Sequence, residues 1–438
     1  MSNEQDQTLW ICIIGSGPAG YYTAEALAKN AENVRIDILD RLPTPFGLIR
    51  GGVAPDHQSI KAVARRYEKT ASQENVRFVG NLNIGTDVTI DDLRELYDAV
   101  VLATGAPKDR KLELPGEDKM GVIGSAEFVG WYNSHPDFAS LNLDLNIKDV
   151  VVIGNGNVAV DCARIIAKTA EEMSGTDLAQ HAADAIHPAP IENIYLAGRR
   201  GPLEGKFTPK ELGELGHLDN CVALLDSDQV PEEVTGVDPK EMTLKSKNLN
   251  HLKSLRDNKA EDKPVKLHIM FYASPVEILG DKRVSGIKFE KTKVENGKCI
   301  GLGEFFEIPC RMVLPAIGYQ SIAIPGAPFD EKRGKFINDE GFIDKGLYTV
   351  GWAKRGPSGT IGTNKPDGIA VAKLILEQTK ASGKEGRVGL DELVAERGIK
   401  IVTFEGWKKI EKAEENASDG LAPRAKFSQI EDMLNIIE

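Results

Sequence analysis

The sequence is poor in cysteine and in aromatic residues, and it has neither a long hydrophobic run nor an excess of positive charge. Its five cysteines include no CxxC pair and no cluster with the spacing of metal ligands. They therefore indicate neither a disulfide framework nor an iron–sulfur site, and they exclude a redox-active disulfide. Any redox chemistry must come from a bound group.

The charge balance and the lack of a long apolar stretch limit the kinds of partner. A net charge of −12 argues against general nucleic-acid binding. A nucleic acid is a polyanion, so a protein that binds it without sequence preference needs a surplus of Lys and Arg. The opening residues MSNEQDQT predict no signal peptide, and no later stretch has the roughly 18 apolar residues of a membrane span. With 438 residues, 41% of them hydrophobic, the chain is long enough for two or three domains. We expect a soluble, cytoplasmic protein that binds neither nucleic acid nor a membrane.

The first strong motif is WICIIGSGPAGYYTAEALA, which predicts an apolar strand, a tight glycine turn and a helix. Gly15 permits the turn, Gly17 lets backbone N–H groups approach a pyrophosphate, and Gly20 allows the helix to pack on the strand. A second strand, VRIDILD, ends in Asp40, where an acid accepts hydrogen bonds from a ribose. These parts in this order predict a dinucleotide site; the alternative is a glycine turn that binds nothing.

A second copy of the motif, VVVIGNGNVAVDCARIIA, begins at residue 150. Gly154 and Gly156 recur, and Ala159 replaces the third glycine. The following strand, NIYLAGRRG, ends in Arg199 and Arg200 instead of an acid. Arginines at this position favour a 2′-phosphate over a free 2′-hydroxyl, which distinguishes NADP from NAD. The alternative is an arginine pair that is solvated at a strand end.

Two nucleotide sites of opposite preference predict two cofactors, FAD at the first and NADP(H) at the second, which together form a hydride-transfer pair. The segments YDAVVLATGAP and RMVLPAIGYQS each run from an apolar strand into a glycine turn, as at the domain crossings of flavoproteins with two dinucleotide sites. The sequence therefore predicts an α/β fold of two Rossmann-like dinucleotide-binding domains. A discontinuous FAD domain, residues 1–107 and 323–438, is interrupted by an NADP domain at 108–322.

Five motifs then identify a family by their order. They are GSGPAGYYTAE, PFGLIRGGVAPDHQSIK, VVIGNGNVAVDCARI, GRRGPLEGKFTPKEL and GWAKRGPSGTIGT. Over essentially its whole length the chain resembles the adrenodoxin reductase family of ferredoxin–NADP reductases. It departs from the usual family pattern at Glu204 and Lys206, in a run that is often small or uncharged.

The resemblance implies which residues hold the two cofactors. Contacts to FAD are implied for Ala19, Asp40, Leu48, Val88, Trp352, Gly359, Thr360 and Ile361. Contacts to NADP are implied for Arg110, Asn155, Gly156, Asn157, Val158, Arg199, Arg200, Glu211 and, shared with FAD, Gly359. From its residues, the segment GLYTVGWAKRGPSGTIGTNKPDGIAVAKLIL predicts a strand to about Gly351, a Gly/Pro/Ser loop and a helix that starts near Pro366. The N–H groups of 359–361, near the N-terminus of that helix, are expected to stabilise reduced, anionic flavin.

The resemblance also places His57 and Glu214 near the reacting rings, and with Trp352 they are the candidate catalytic residues. Hydride arrives on the flavin whereas a ferredoxin leaves with electrons only, so protons must exchange with solvent. A His beside a Glu suits such a relay. Orientation of the nicotinamide without proton transfer is an equal alternative.

The resemblance implies hydride transfer from NADPH to FAD and then transfer of single electrons to a ferredoxin. Ferredoxins are acidic, so we expect docking on the basic stretch KSKNLNHLKSLRDNK, with Lys253 and Arg256 on one helix face. The alternative for this stretch is a solvated charged helix. An NADPH-dependent reductase of quinones or other small molecules, an electron-input subunit and a nucleotide sensor stay open. We expect a monomer or a weak dimer.

Overall fold

The structure is a computed structural model that describes residues 8–438, and the chain divides into two compact units. The first unit combines the chain up to Val53 with His57–Lys108 and Tyr319–Glu438. The second combines Ala54–Asp56 with Asp109–Gly318. Each unit has its own sheets and its own hydrophobic core.

The boundaries of the units lie close to the predicted domain crossings. The first unit continues to residue 108 against a predicted 107, and the second ends at residue 318 against a predicted 322. The N-terminal residues from which the absence of a signal peptide was predicted lie almost wholly outside the described part of the chain. Within residues 8–438, no helix combines the length and the apolar character that crossing a membrane requires.

The strands are β1 Leu9–Ile14, β2 Val34–Leu39, β3 Val76–Gly80, β4 Ala99–Leu102, β5 Lys108–Asp109, β6 Asp149–Ile153, β7 Asn193–Ala197, β8 Cys221–Leu225, β9 Val265–Met270, β10 Ala273–Leu279, β11 Gly286–Glu295, β12 Lys298–Ile308, β13 Met312–Pro315, β14 Tyr319–Gln320, β15 Phe329–Asp330, β16 Lys335–Phe336, β17 Phe342–Asp344, β18 Leu347–Thr349 and β19 Val402–Thr403. The helices are α1 Pro18–Asn30, α2 Leu48–Gly51, α3 Gln58–Lys61, α4 Ala64–Ala71, α5 Ile90–Leu96, α6 Ser125–Tyr132, α7 Asn157–Ala167, α8 Ala170–Met173, α9 Gln180–Ile186, α10 Pro209–Glu214, α11 Met242–Ser254, α12 Trp352–Arg355, α13 Asn364–Gln378, α14 Arg387–Glu396, α15 Phe404–Asn416 and α16 Ile430–Ile437.

The first unit is built on a seven-stranded sheet in the order β17-β18-β4-β1-β2-β3-β19. Its five inner strands are parallel, and β17 and β19 pair antiparallel at the two edges. Alternate residues of β1 enter opposite cores: Ile11 and Ile13 join one cluster, and Cys12 and Ile14 join the other. Because both faces are covered, the inner strands are continuous apolar runs. On one face, α1 packs against α13 and α4.

The second unit repeats this arrangement on a five-stranded parallel sheet in the order β13-β6-β7-β9-β8. A separate antiparallel sheet of β10, β11 and β12 covers part of it. In both units the glycine loop follows a central strand, β1 or β6, whose neighbours on either side are both parallel to it. Such switch points are where open α/β sheets bind nucleotides. The predicted α/β class with two Rossmann-like units is confirmed.

Candidate functional site

The first glycine loop leaves β1 and enters α1 directly. A methyl group on Gly15, whose φ is +113°, would lie 2.4 Å from the carbonyl oxygen of Ala103, so only glycine fits there. A methyl group on Gly17 would instead meet no atom within 4 Å. The backbone at Gly17 therefore faces open space at the N-terminus of α1, which is the cradle that the pyrophosphate of a dinucleotide needs.

Asp40 follows β2 and braces this loop. Its Oδ2 accepts hydrogen bonds from the Ser16 N–H, at 2.9 Å, and from the Ser16 hydroxyl, while Oδ1 accepts from the Leu42 N–H at 3.0 Å. An ionised carboxylate has about four acceptor positions, so one stays for a ribose hydroxyl. Besides the predicted ribose contact, Asp40 has a structural role that the spacing of the motif did not reveal.

The C-terminal loop at 356–363 begins and ends near the predicted positions. The strand before it ends at Thr349, and the helix after it begins at Asn364, two residues before the predicted start near Pro366. The short helix α12, which begins at Trp352, was not predicted from the sequence. The indole Nε1 of Trp352 donates a hydrogen bond to the carbonyl oxygen of Ser358 at 3.1 Å, so this predicted catalytic residue also shapes the loop.

Charged residues that the sequence analysis did not single out anchor the same loop. The carboxylate of Asp367, in the first turn of α13, accepts hydrogen bonds from the Gly351 N–H at 2.7 Å, from Lys354 at 2.9 Å and from Arg355 at 2.8 Å. Arg355 also donates to the carbonyl oxygen of Ser358 at 3.2 Å. The only signal in the sequence was a basic pair about a dozen residues before an acid, which is a common pattern on any surface.

The predicted flavin-binding N–H groups remain available. Those of Gly359 and Thr360 donate to no acceptor within residues 8–438, and both residues are exposed. The Thr363 hydroxyl donates to the Thr360 carbonyl at 2.7 Å, which keeps the loop turned, and Ile361 opens the 3-10 turn before α13. Exposed N–H donors just before a helix N-terminus suit an anionic or carbonyl edge of a ligand.

The other residues predicted at the flavin differ in exposure. Ala19, Val88 and His57 are buried, whereas Leu48 is 41% exposed. Gly20 packs tightly, since a methyl group there would lie 2.1 Å from a carbonyl oxygen of the same loop. The contacts of these residues with FAD stay predictions.

The second glycine loop has an open cradle of its own. A methyl group on Gly154 would lie 2.3 Å from the carbonyl oxygen of Ala316, which explains the need for glycine there. A methyl group on Gly156 would have a single neighbour, the Cβ of Lys206 at 4.0 Å. Oδ1 of Asn155 is buried without a hydrogen-bond partner in the described part of the chain. Open space beside an unsatisfied acceptor fits a bound nucleotide.

Arg199 and Arg200 follow β7, and neither guanidinium has a carboxylate partner among residues 8–438. Arg199 is exposed, and Nε of Arg200 is buried without a partner. The backbone of the pair is nevertheless fixed, because the carbonyl oxygen of Arg199 accepts from the Thr292 hydroxyl at 2.7 Å and that of Arg200 from the Tyr272 N–H at 3.1 Å. Two guanidiniums that have no carboxylate partner in the described residues, on a backbone fixed by hydrogen bonds, suit a phosphate group.

The remaining predicted NADP residues lie in the same unit. Asn157 and Val158 open α7, and the Asn157 side chain accepts a hydrogen bond from the Thr208 N–H at 2.8 Å. Glu211 is in the first turn of α10, and its Oε2 is buried with no partner in the residues that the structure describes. The N–H of Arg110 donates to the Gly318 carbonyl at 3.0 Å, where the chain enters and leaves the unit.

Glu214, at the end of α10, belongs to an ionic network centred on the buried Arg164. The guanidinium of Arg164 is fully buried and pairs with Asp56, with Asp161 at 2.8 Å and with Glu214 at 3.3 Å. Asp56 also binds Lys168 at 2.7 Å. Burial by itself would raise the pKa of the Asp56 carboxyl, but Arg164 and Lys168 outweigh burial and lower that pKa to about 2. Sequence reasoning missed this network because residue 56 is over a hundred positions from its partners.

The residues predicted to dock a ferredoxin have partners within the chain. The helix α11 ends at Ser254, so Arg256 lies beyond it, and the prediction that Lys253 and Arg256 share a helix face is wrong. Both side chains bind Glu232, Lys253 at 3.1 Å and Arg256 at 2.7 Å. Part of their positive charge is thereby neutralised.

Comparison with known proteins places the chain among nucleotide-dependent reductases. Residues 10–197 match the family described as pyridine nucleotide-disulphide oxidoreductase. The chain is 40% identical to the mitochondrial NADPH:adrenodoxin oxidoreductase of Arabidopsis thaliana, covering 99% of this chain and 96% of that protein. It is 37% identical to the NADPH-ferredoxin reductase FprA of Mycobacterium leprae, covering 97% and 98%.

A solved structure extends this likeness to three dimensions. FprA of Mycobacterium tuberculosis in complex with NADPH superposes with a TM-score of 0.92 at 35% identity, covering 98% of this chain and all of that one (100%). Sequence identity and fold thus agree over nearly the whole chain. The chain belongs to the adrenodoxin reductase family of ferredoxin–NADP reductases.

Proposed function

We propose that the protein is a ferredoxin–NADP+ reductase, an FAD-dependent oxidoreductase that takes hydride from NADPH and delivers electrons to a ferredoxin-type carrier. The observation that carries this proposal is the unpaired Arg199–Arg200 turn after β7, in a chain whose other dinucleotide loop is paired with an acid, Asp40. The names of the relatives combine NADPH with ferredoxin or adrenodoxin, which supports the same reaction.

FAD, when bound, supplies a carrier that accepts a hydride and releases electrons singly. We propose that the Gly15–Gly20 loop and Asp40 hold its dinucleotide part and that the N–H groups of Gly359 and Thr360 face the flavin. The loop at 154–158 and the arginine pair are proposed to hold NADP(H), with the free oxygens of Asn155 and Glu211 accepting hydrogen bonds from it.

His57, Glu214 and Trp352 are proposed to act at the reacting rings. The buried His57 and the carboxylate of Glu214 have either of two roles, exchange of protons with solvent or orientation of the nicotinamide. The ion pair with Arg164 keeps the Glu214 side chain in one place, as either role requires.

An anaerobic titration of the purified protein, followed by its visible spectrum, tests the proposed function. We expect a flavin spectrum that stoichiometric NADPH bleaches, with NADH far less effective because it lacks the phosphate that Arg199 and Arg200 bind. Addition of an oxidised ferredoxin should then restore the spectrum. A protein that takes up no FAD, or that NADH reduces equally well, would contradict the proposal.

The ferredoxin is proposed to dock near Lys253 and Arg256. Replacing both with alanine should raise the KM for ferredoxin about threefold to tenfold and leave NADPH-driven dye reduction unchanged, because two surface charges lose their attraction for an acidic partner. Glu232→Gln is the matched control: it frees the same two cations and should lower that KM. An equal fall in dye reduction would show that the docking assignment is wrong.

A further inference from the structure

Lys206 lies beside the second glycine loop, and its backbone is hydrogen-bonded to that loop. Its N–H donates a hydrogen bond to the Asn155 carbonyl at 2.6 Å, and Gly156 and Lys206 form a parallel β-bridge. The Cβ of Lys206 is the single atom within 4 Å of where a methyl group on Gly156 would lie. The side chain therefore leaves the backbone at the edge of the open space in front of the loop.

Buried hydrogen bonds fix the chain on both sides of Lys206. The ammonium of Lys245 donates to the Gly205 carbonyl at 2.7 Å, and the amide of Asn248 donates to the Phe207 carbonyl at 3.0 Å. Both side chains belong to α11, and both are buried. The position of the Lys206 backbone is therefore set by the fold and needs no ligand to establish it.

The charge of Lys206 is not neutralised by an ion pair. Its side chain is exposed and has no carboxylate partner in the described part of the chain. Other charged groups near this segment include Glu204, Glu241 and the carbonyl-bound Lys245. Burial lowers the pKa of Lys245 and the charge of Lys206 lowers it further, while Glu241 and Glu204 act in the opposite direction. The N-terminus of α7, an eleven-residue helix whose N-cap is Gly156, adds partial positive charge beside Lys206.

We infer that Lys206 binds the diphosphate of NADP(H), as a third cation of this site beside Arg199 and Arg200. The inference rests on the proposed function and assigns a role to a residue beyond it. Lys206 stands beside Gly156 at the start of α7, where the diphosphate belongs, whereas the arginines follow β7, where the 2′-phosphate belongs. An ammonium on a flexible stem is a suitable point charge for a phosphate.

Calorimetric titrations of the FAD-loaded protein with NADP+ and with 2′-AMP test this assignment. Lys206→Gln should raise the Kd of NADP+ about tenfold, the effect of one charge-assisted hydrogen bond, and leave that of 2′-AMP unchanged, since 2′-AMP has no diphosphate. Lys206→Arg should keep most of the affinity. Lys210→Gln, the same change at an exposed lysine of α10, should alter neither Kd, and the melting temperature should be unchanged in all three.

Two results would overturn the inference. One is an unchanged Kd of NADP+ in Lys206→Gln; the other is an equal weakening of both ligands, which would put the ammonium at the 2′-phosphate. In either case normal binding of NADP+ by the wild type would leave the proposed function standing. A wild-type protein that binds neither ligand would overturn the proposed function itself and this inference with it.

Discussion

Replacing Arg199 and Arg200 together with glutamine is expected to raise the Kd of NADPH by about a hundredfold or more, while NADH binding stays as weak as in the wild type. Each charge-assisted hydrogen bond to a 2′-phosphate contributes about 1.5–3 kcal/mol, and two of them give at least this factor. Because the guanidiniums have no carboxylate partner, their removal leaves no orphaned acid in the described residues. The melting temperature should therefore change little. Titration of the flavin spectrum with each nucleotide measures the effect.

Arg311→Gln is the matched control for this pair. Arg311 is exposed in the same unit. It precedes β13, which is parallel to β6 and β7, so it lies at the amino ends of these strands, whereas Arg199 and Arg200 lie at the carboxyl end of β7. The Arg311→Gln variant should bind NADPH and NADH with the affinities of the wild type. If the double variant weakened NADPH and NADH equally, the arginines would not be reading the 2′-phosphate.

Replacing Arg164 with methionine is expected to lower the free energy of unfolding of the second unit by about 3–5 kcal/mol. The loss arises because Arg164 pairs with Asp56, Asp161 and Glu214, so the variant removes one buried cation from three carboxylates, and a buried carboxylate that loses its cation is costly. Urea unfolding followed by fluorescence measures this loss. Lys168→Met, which removes a partly exposed cation that pairs with Asp56 alone among these acids, should have a smaller effect.

The same network predicts a dependence of stability on pH. The pKa of Asp56 is lowered to about 2 in the folded chain from an ordinary value of 3.8, so its ion pairs stabilise the fold above pH 4 and cease to do so as the pH falls toward 2. This contribution is about 2 kcal/mol, and Arg164→Met should remove most of it. A variant as stable as the wild type at neutral pH, with the same acid sensitivity, would show that Arg164 does not balance these carboxylates.

Much of the fold could be predicted because its signals are local. The strand, glycine turn and helix at each nucleotide loop come from consecutive residues whose hydrophobic run and glycine spacing permit few other structures. The end of β18 and the start of α13 were predicted to within about two residues for the same reason. The prediction that Lys253 and Arg256 share a helix face was wrong, because the spacing of charges alone does not show where a helix ends.

The candidate site was predictable in kind but not in its supports. The arginine pair after a strand is a local signal, and its chemistry follows from the charge of a phosphate. The residues that hold the loops, such as Asp367 with Arg355 and Lys245 with Gly205, join segments by contacts that no spacing rule contains. Their side chains look like ordinary surface charges in the sequence.

By itself, the sequence determined the α/β class, two dinucleotide loops and their opposite preference for an acid or for arginines, because each depends on neighbouring residues along one strand and one turn. Only the tertiary structure decided that Asp40 accepts hydrogen bonds from Ser16, that Arg164 pairs with three carboxylates, and that Lys206 lies next to Gly156. Those pairings depend on which distant segments pack together, and burial then gives a charge or an open space its effect.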